Sequence, residues 1–255
     1  MSTQSVLFET RGGIARLTIN RPEARNALNR EVREGLWQGL REFIADDASQ
    51  VLILTGTGDK AFCAGADLKE MADTGMEVPP ADWLPYLGRN LHTDKLVIAA
   101  VNGVAYAGGF LLAQQCDLVV AADHARFAIT EARWSRGSPW AAPLPWLIPP
   151  RVALELMVTT DPIDAVRAHQ IGLVNRVVPG TDLIAEAEAM AGRIIANAPM
   201  AVRASKAMVY AAAERGWSDA LDEGYRLFEP VYLSGDAQEG PRAFKEKRPP
   251  VWKGR

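Results

Sequence analysis

The sequence predicts an α/β core followed by a purely helical C-terminal part. Two observations carry this. Short apolar runs that end at turn residues alternate with helix-period stretches along the first part of the chain. From Thr181 onward only helical periods remain. Neither an internal repeat nor a low-complexity linker interrupts the chain.

The elements follow in order. Residues 14–20 place Ala15, Leu17 and Ile19 on one face and Arg16 and Thr18 on the other, a half-buried strand. A helix is expected over 29–44. The continuous apolar runs 51–55 and 96–101, ended by Gly56 and by Asn102-Gly103, read as strands covered on both faces, and 118–122 and 173–178 read the same way. Helices are expected between them at 109–115 and 151–160. The segment 139–150 is apolar but broken by Pro143, Pro145 and Pro149; it is too short to cross a bilayer and reads as a stiff buried loop. Beyond it, Leu183, Ile184, Ala187, Met190, Ala191, Ile194 and Ile195 keep a helical period behind Thr181 or Asp182 as N-cap. Further helices are expected over 199–214, 218–233 and 238–246.

Composition narrows the function classes. The 255 residues allow one large domain or one domain with an appendage, and a 48% apolar fraction supports a sizeable core. Lys and Arg total 28 against 31 Asp and Glu, a net charge of −3 that argues against a nucleic-acid partner. Cys63 and Cys116 are too few for a disulfide framework, which points to a reducing, cytoplasmic setting. His92, His124 and His169 are scattered singly, so no metal site is expected. No signal peptide or membrane span is read, and no membrane partner is expected.

Several chemical signals are missing: there is no phosphate-binding Gly-x-x-x-x-Gly-Lys loop and no Gly-x-Ser-x-Gly elbow. Gly56-Thr57-Gly58 reads as a turn after a buried strand, without the third glycine of a dinucleotide site. Two other segments stand out, Ala61-Phe62-Cys63-Ala64-Gly65-Ala66-Asp67-Leu68 and Asn102-Gly103-Val104-Ala105-Tyr106-Ala107-Gly108-Gly109-Phe110-Leu111. The second runs from a buried strand into an apolar helix. Such a turn exposes backbone N–H groups where negative charge is favoured, and glycine lets a ligand approach the backbone closely.

Together these segments resemble the enoyl-CoA hydratase/isomerase (crotonase) family. Residues 52–56 leading into 62–68 look like its first signature. Residues 98–118, through Asn102-Gly103, Ala107-Gly108-Gly109 and Cys116-Asp117, look like its second, with Gln114 departing from the usual small or apolar residue. Asn20-Arg21-Pro22, Asn26-Ala27-Leu28-Asn29, the run 168–174 and the closing 244–248 also fit. The resemblance spans nearly the whole chain. It implies a crotonase-like spiral of ββα turns over 1–197 and a helical oligomerisation region over 198–255 that assembles a homotrimer or a hexamer built as a dimer of trimers.

The resemblance also implies a substrate and a site. The substrate would be an acyl-CoA thioester, with coenzyme A as part of the substrate and no prosthetic group. The Ala66 and Gly108 amides would bind the thioester oxygen. The family's hydratases carry two glutamates; here the first position is Leu111, which cannot move a proton, and the second is Glu131. One acid suits migration of a double bond from the 3,4 to the 2,3 position, whereas hydration ordinarily uses two. A hydratase drawing a second acid from Asp67, Asp73, Glu77 or Asp82 is the alternative, as are another acyl-CoA reaction, a non-catalytic acyl-CoA-binding protein and a scaffold that keeps only the trimer fold. CoA contacts would fall on Arg25, on Ala64, Asp67 and Lys69 around the first signature, and on Lys245 or Lys247 in a locally basic tail. Trp83, Tyr86, Trp134 and Trp140 are aromatics that could shape an acyl pocket or pack a core; none is assigned a role.

Overall fold

Three of the strands expected from continuous apolar runs have a short companion in the computed structural model, which describes residues 4–255. In chain order the strands are β1 (Val6–Arg11), β2 (Ile14–Ile19), β3 (Val51–Gly56), β4 (Ala61–Cys63), β5 (Leu96–Val101), β6 (Val104–Tyr106), β7 (Leu118–Ala122), β8 (Arg126–Ala128), β9 (Ile163–Asp164) and β10 (Arg176–Val178). The helices are α1 (Arg30–Ala45), α2 (Leu68–Thr74), α3 (Gly108–Gln114), α4 (Leu144–Leu147), α5 (Pro150–Thr159), α6 (Ala165–Gln170), α7 (Leu183–Ile195), α8 (Pro199–Ala213), α9 (Trp217–Tyr232) and α10 (Gly235–Glu246).

The strands sort into a six-stranded sheet, ordered β1-β2-β3-β5-β7-β10, and a four-stranded sheet, ordered β4-β6-β8-β9. Successive pairs β3/β4, β5/β6 and β7/β8 each put their first strand in the large sheet and their second in the small one. After the first two pairs comes a helix, α2 and then α3. This is a spiral of ββα turns. Pairing is parallel for β2–β3, β5–β7 and β7–β10, and for β4–β6 and β6–β8; the outer pairs β1–β2 and β8–β9 are antiparallel.

The packing explains the sequence pattern. β3 is buried along its whole length, as a strand covered on both faces must be, while β2 alternates and buries Ala15, Leu17 and Ile19. α1 starts on the Asn29 side chain, which accepts from Val32 N–H at 3.0 Å, and buries Val32, Leu36, Leu40 and Phe43 along one stripe. Gly39 lets that stripe close on β2, since a side chain there would overlap Leu17.

Some expectations change. Residues 139–150 are not a buried loop: they form a 3₁₀ turn at Pro139–Ala141 and then α4, with Trp146 and Leu147 exposed. Pro143 and Pro145 sit at the start of α4, where a missing N–H costs nothing and a fixed φ helps. The strand expected over 173–178 shortens to β10, because Leu173 and Val174 donate to Ala168 O and close α6 instead. β1 carries one buried residue, and α2 buries none, so neither has a periodic signal.

The chain divides into two compact units, one running to Thr93 and resuming over Val97–Ala191, the other made of Asp94–Leu96 and Gly192–Arg255. In the second unit, Lys206 Nζ donates to Lys95 O at 2.7 Å and Arg203 pairs with Asp94. Its buried Asp236 receives the backbone N–H groups of Lys253 and Gly254, both at 2.8 Å, which holds the tail against α10. No helix among the described residues is long and apolar enough to cross a membrane.

Candidate active site

Two buried asparagines set the backbone of the site. Asn26, at φ 56, accepts from Arg21 N–H and donates to Thr57 O and Ala61 O; Asn102 accepts from Gly56 N–H and donates to Gly58 O and Ala61 O. Both therefore anchor the turn that carries β3 into β4. The segment after β4 then pairs with Leu28: Leu28 N–H donates to Gly65 O at 2.8 Å and Leu28 O accepts from Asp67 N–H at 3.4 Å. That pairing consumes the groups on either side of Ala66 and turns the Ala66 N–H to the opposite side.

The facing segment is the turn from β6 into α3. Ala107 precedes the helix at φ 52, ψ −119, a conformation that favours glycine, and is tied by its N–H to Ala128 O at 3.0 Å. Gly108 N is then a first-turn helix N–H with no intrahelical acceptor. The approach of the two segments is tight. A Cβ on Gly65 would stand 3.5 Å from Gly108 N, and one on Gly108 would stand 4.0 Å from Ala66 N. A Cβ on Gly109 would overlap the Cys63 carbonyl, so glycine is obligatory for this closeness. Among the described residues neither the Ala66 nor the Gly108 N–H has a protein acceptor.

Glu131 opens a 3₁₀ turn just after β8. Its Oε2 is buried with no hydrogen-bond partner. Burial pushes its pKa up to about 7, against the partly opposing hydrogen bonds from backbone N–H groups and the Trp140 indole. A carboxyl poised there exchanges protons readily near neutral pH. Leu111 lies one turn into α3 from Gly108 and is 7% exposed. Trp140 packs on Phe110 with ring centroids 6.0 Å apart, so an apolar wall adjoins the carboxyl.

The remaining expected residues divide. Asp67 caps α2, accepting from Lys69 and Glu70 N–H, and its ion pair with Arg21 holds its carboxyl below the usual carboxylate range. It anchors the start of α2. Arg25 is exposed and left-handed at φ 52, and its carbonyl accepts the Ala64 N–H at 3.1 Å, so the two are adjacent. Lys69 is exposed in the first turn of α2. Lys245 is exposed on α10, in the other compact unit. Asp73, Glu77 and Asp82 are exposed carboxylates, unlike the half-buried Glu131. Among the described residues no cluster of three His, Cys, Asp or Glu could hold a metal ion.

Sequence reasoning gave no role to Asn26, Asn102, Arg21 or the Arg33–Glu70 pair at 2.8 Å, which fastens α1 to α2. For Asn26 a signal exists: asparagine is the residue most at home in a left-handed turn that must also bond backbone. Trp140 carries none, because its contact with Glu131 depends on the fold of 132–139.

This geometry has known counterparts. Residues 9–255 match the family model described as enoyl-CoA hydratase/isomerase. A carnitinyl-CoA dehydratase from Citrobacter koseri is 39% identical over 99% of this chain and 100% of its own length, and one from Proteus mirabilis is 37% identical over the same shares. An enoyl-CoA hydratase from Mycobacterium tuberculosis superposes with a TM-score of 0.90 at 38% identity, covering 99% of this chain and all of that one. With a match along nearly its full length, a spiral of ββα turns and two unpaired amides beside glycine turns, the chain belongs to the enoyl-CoA hydratase/isomerase family.

Proposed function

We propose that this protein moves the double bond of an enoyl-CoA from the 3,4 to the 2,3 position. The Glu131 carboxylate takes a proton from C2, and the electrons delocalise over the diene to the thioester oxygen. The Ala66 and Gly108 N–H groups hold that oxygen as its charge develops, each donor contributing about 3–4 kcal/mol. The same Glu131 carboxyl then returns its proton to C4, and the conjugated thioester leaves. One group collects and delivers the proton, so the enzyme ends each turnover as it began.

The observation that carries this reading is the pairing of a single half-buried carboxyl with an apolar Leu111 where the family's hydratases keep a second acid. Addition or loss of water is the second reading, favoured by the printed names of the dehydratase relatives. It requires a proton donor for the departing oxygen, and Asp67, the nearest alternative in the sequence signature, is tied to Arg21. Incubation with crotonyl-CoA and with a 3-enoyl-CoA separates the two. Fast conversion of the 3-enoyl compound with slow hydration of crotonyl-CoA is expected; fast water incorporation overturns the isomerase reading.

CoA recognition is proposed for Arg25, the Ala64 and Asp67 segment and Lys69, and separately for Lys245. A homotrimer or paired trimers is proposed for the assembly. Its support is the apolar surface of that unit, where Trp217, Leu233 and Phe244 are 84%, 80% and 87% exposed.

A further inference from the structure

Gln114 stands where the family signature led to the expectation of a small or apolar residue, and its surroundings give it work. It lies on α3 one turn beyond Leu111 and on the same face as Phe110. Although 8% exposed, its Oε1 has no hydrogen-bond partner. Its Nε2 donates to Trp140 O at 3.1 Å, and the Tyr86 hydroxyl donates to the same oxygen at 3.0 Å. A carbonyl oxygen can only accept, so the orientation of the amide is fixed with Oε1 directed away from Trp140 O. The second amide N–H faces the Tyr86 phenol oxygen, so the acceptor left without a donor is the Gln114 amide oxygen. The Trp140 side chain also bears on the Glu131 carboxyl, which places the cluster one residue from it. Gln115 belongs to another face of the helix, with its Oε1 taken by Leu87 N–H at 2.9 Å.

A buried acceptor without a donor is destabilising, and a ligand that brings the donor removes that penalty. We propose that the Gln114 amide oxygen forms a polar acyl subsite that selects CoA thioesters whose acyl chain carries a hydroxyl group over plain alkyl chains of the same length. The inference rests on the acyl-CoA reading of the site. Gln114 follows Gly108 by six residues, about 9 Å along the helix, so the hydroxyl belongs several carbons beyond the thioester and takes no part in proton transfer. Gln114 is thus a specificity residue; it touches the chain and not the reacting atoms.

The test is calorimetric titration of the whole protein with saturated, unreactive ligands, so that it does not depend on which reaction is catalysed. The ligands are ω-hydroxyacyl-CoAs of four to seven carbons, each compared with the alkyl acyl-CoA in which a methyl replaces the hydroxyl. At one chain length the hydroxyl ligand is expected to bind at least about tenfold more tightly. In Gln114→Met that advantage falls to within about twofold while the alkyl ligand keeps its Kd. Tyr86→Phe, which removes the phenol that shares Trp140 O with the amide and helps to orient it, reduces the advantage and covers the case in which Gln114→Met does not fold. Equal binding of both series by the native protein, or a preference that survives Gln114→Met, overturns the subsite while leaving the acyl-CoA reading intact. If no CoA thioester binds, both fall together.

Discussion

The segments 63–67 and 106–109 build their part of the proposed site from backbone, whereas Glu131 and Leu111 build theirs from side chains. The first part is held on every side: Leu28 pairs with Gly65 and Asp67, Asn26 and Asn102 anchor the preceding turn, and Cys63 O abuts Gly109. The second hangs on burial, with one carboxyl oxygen of Glu131 left without a hydrogen-bond partner. The difference teaches how each can change. Backbone donors survive any substitution that keeps the backbone in place, but a single misplaced Cβ displaces them. A carboxyl is lost or replaced by one codon, and Leu111 is such a replacement within the family pattern.

The sharpest way to break this comparison is to add one carbon at adjacent positions. Gly109→Ala drives a Cβ into the Cys63 carbonyl, which is backbone and cannot give, whereas Gly108→Ala meets Leu28 Cδ1 at 2.8 Å, the end of a flexible side chain. Turnover is expected to fall about a thousandfold in Gly109→Ala, the loss of one well-placed donor, and at least tenfold less in Gly108→Ala. Steady-state kinetics with a circular-dichroism check for folding decides it. Equal losses at both positions would mean that the spacing of the two segments does not position the donors.

Glu131→Gln probes the other half. Turnover is expected to drop at least about a hundredfold with the Kd for a saturated acyl-CoA unchanged. In the native protein kcat/KM should rise about tenfold per pH unit up to a midpoint near the raised pKa of about 7, since the base is the ionised form. A pH-independent rate between 5 and 8, or an active Gln variant, removes Glu131 from the mechanism. Stability should move the opposite way. A carboxyl whose pKa is 4.5 unfolded and about 7 folded binds more protons when folded, so its contribution to stability is lost as pH rises through that window. Glu131→Gln escapes that loss and is expected to gain up to about 3 kcal/mol relative to the native protein at pH 8, and nothing at pH 4, in urea titrations. The group is partly solvated, which makes this an upper bound.

The same contrast governs what could be read in the sequence. The long strands were legible because continuous apolar runs have few other uses, and the glycine turns were legible because backbone approach demands glycine. The short strands β4, β6, β8 and β9 hold two or three residues each, too few for any period, so the ββα repeat shows only in three dimensions. Glu131 was placed through its spacing from the glycine turn in the family pattern; its raised pKa was not legible, because the burial that causes it comes from elements distant in sequence. Gln114 was visible as a departure from the pattern, but only its neighbours Tyr86 and Trp140, 28 and 26 residues away, give that departure a meaning.

A third class of residue sharpens the comparison by belonging to neither half. Lys69 is exposed, and its ammonium has no part in the cap, where its backbone N–H bonds the Asp67 carboxylate at 3.0 Å. Lys69→Ala therefore keeps the cap and the backbone of the first segment, and removes one cation from the proposed CoA phosphate contacts. An exposed charge is worth about 0.5–1 kcal/mol, so KM should rise only about two- to fivefold with kcat unchanged. The difference should shrink in 0.5 M salt, where screening already weakens the native contact. A fall in kcat instead of a rise in KM would tie Lys69 to the transition state and blur the boundary between the rigid backbone half and its solvated surroundings. A null result at low salt would place the phosphates elsewhere and leave both halves of the site as they are.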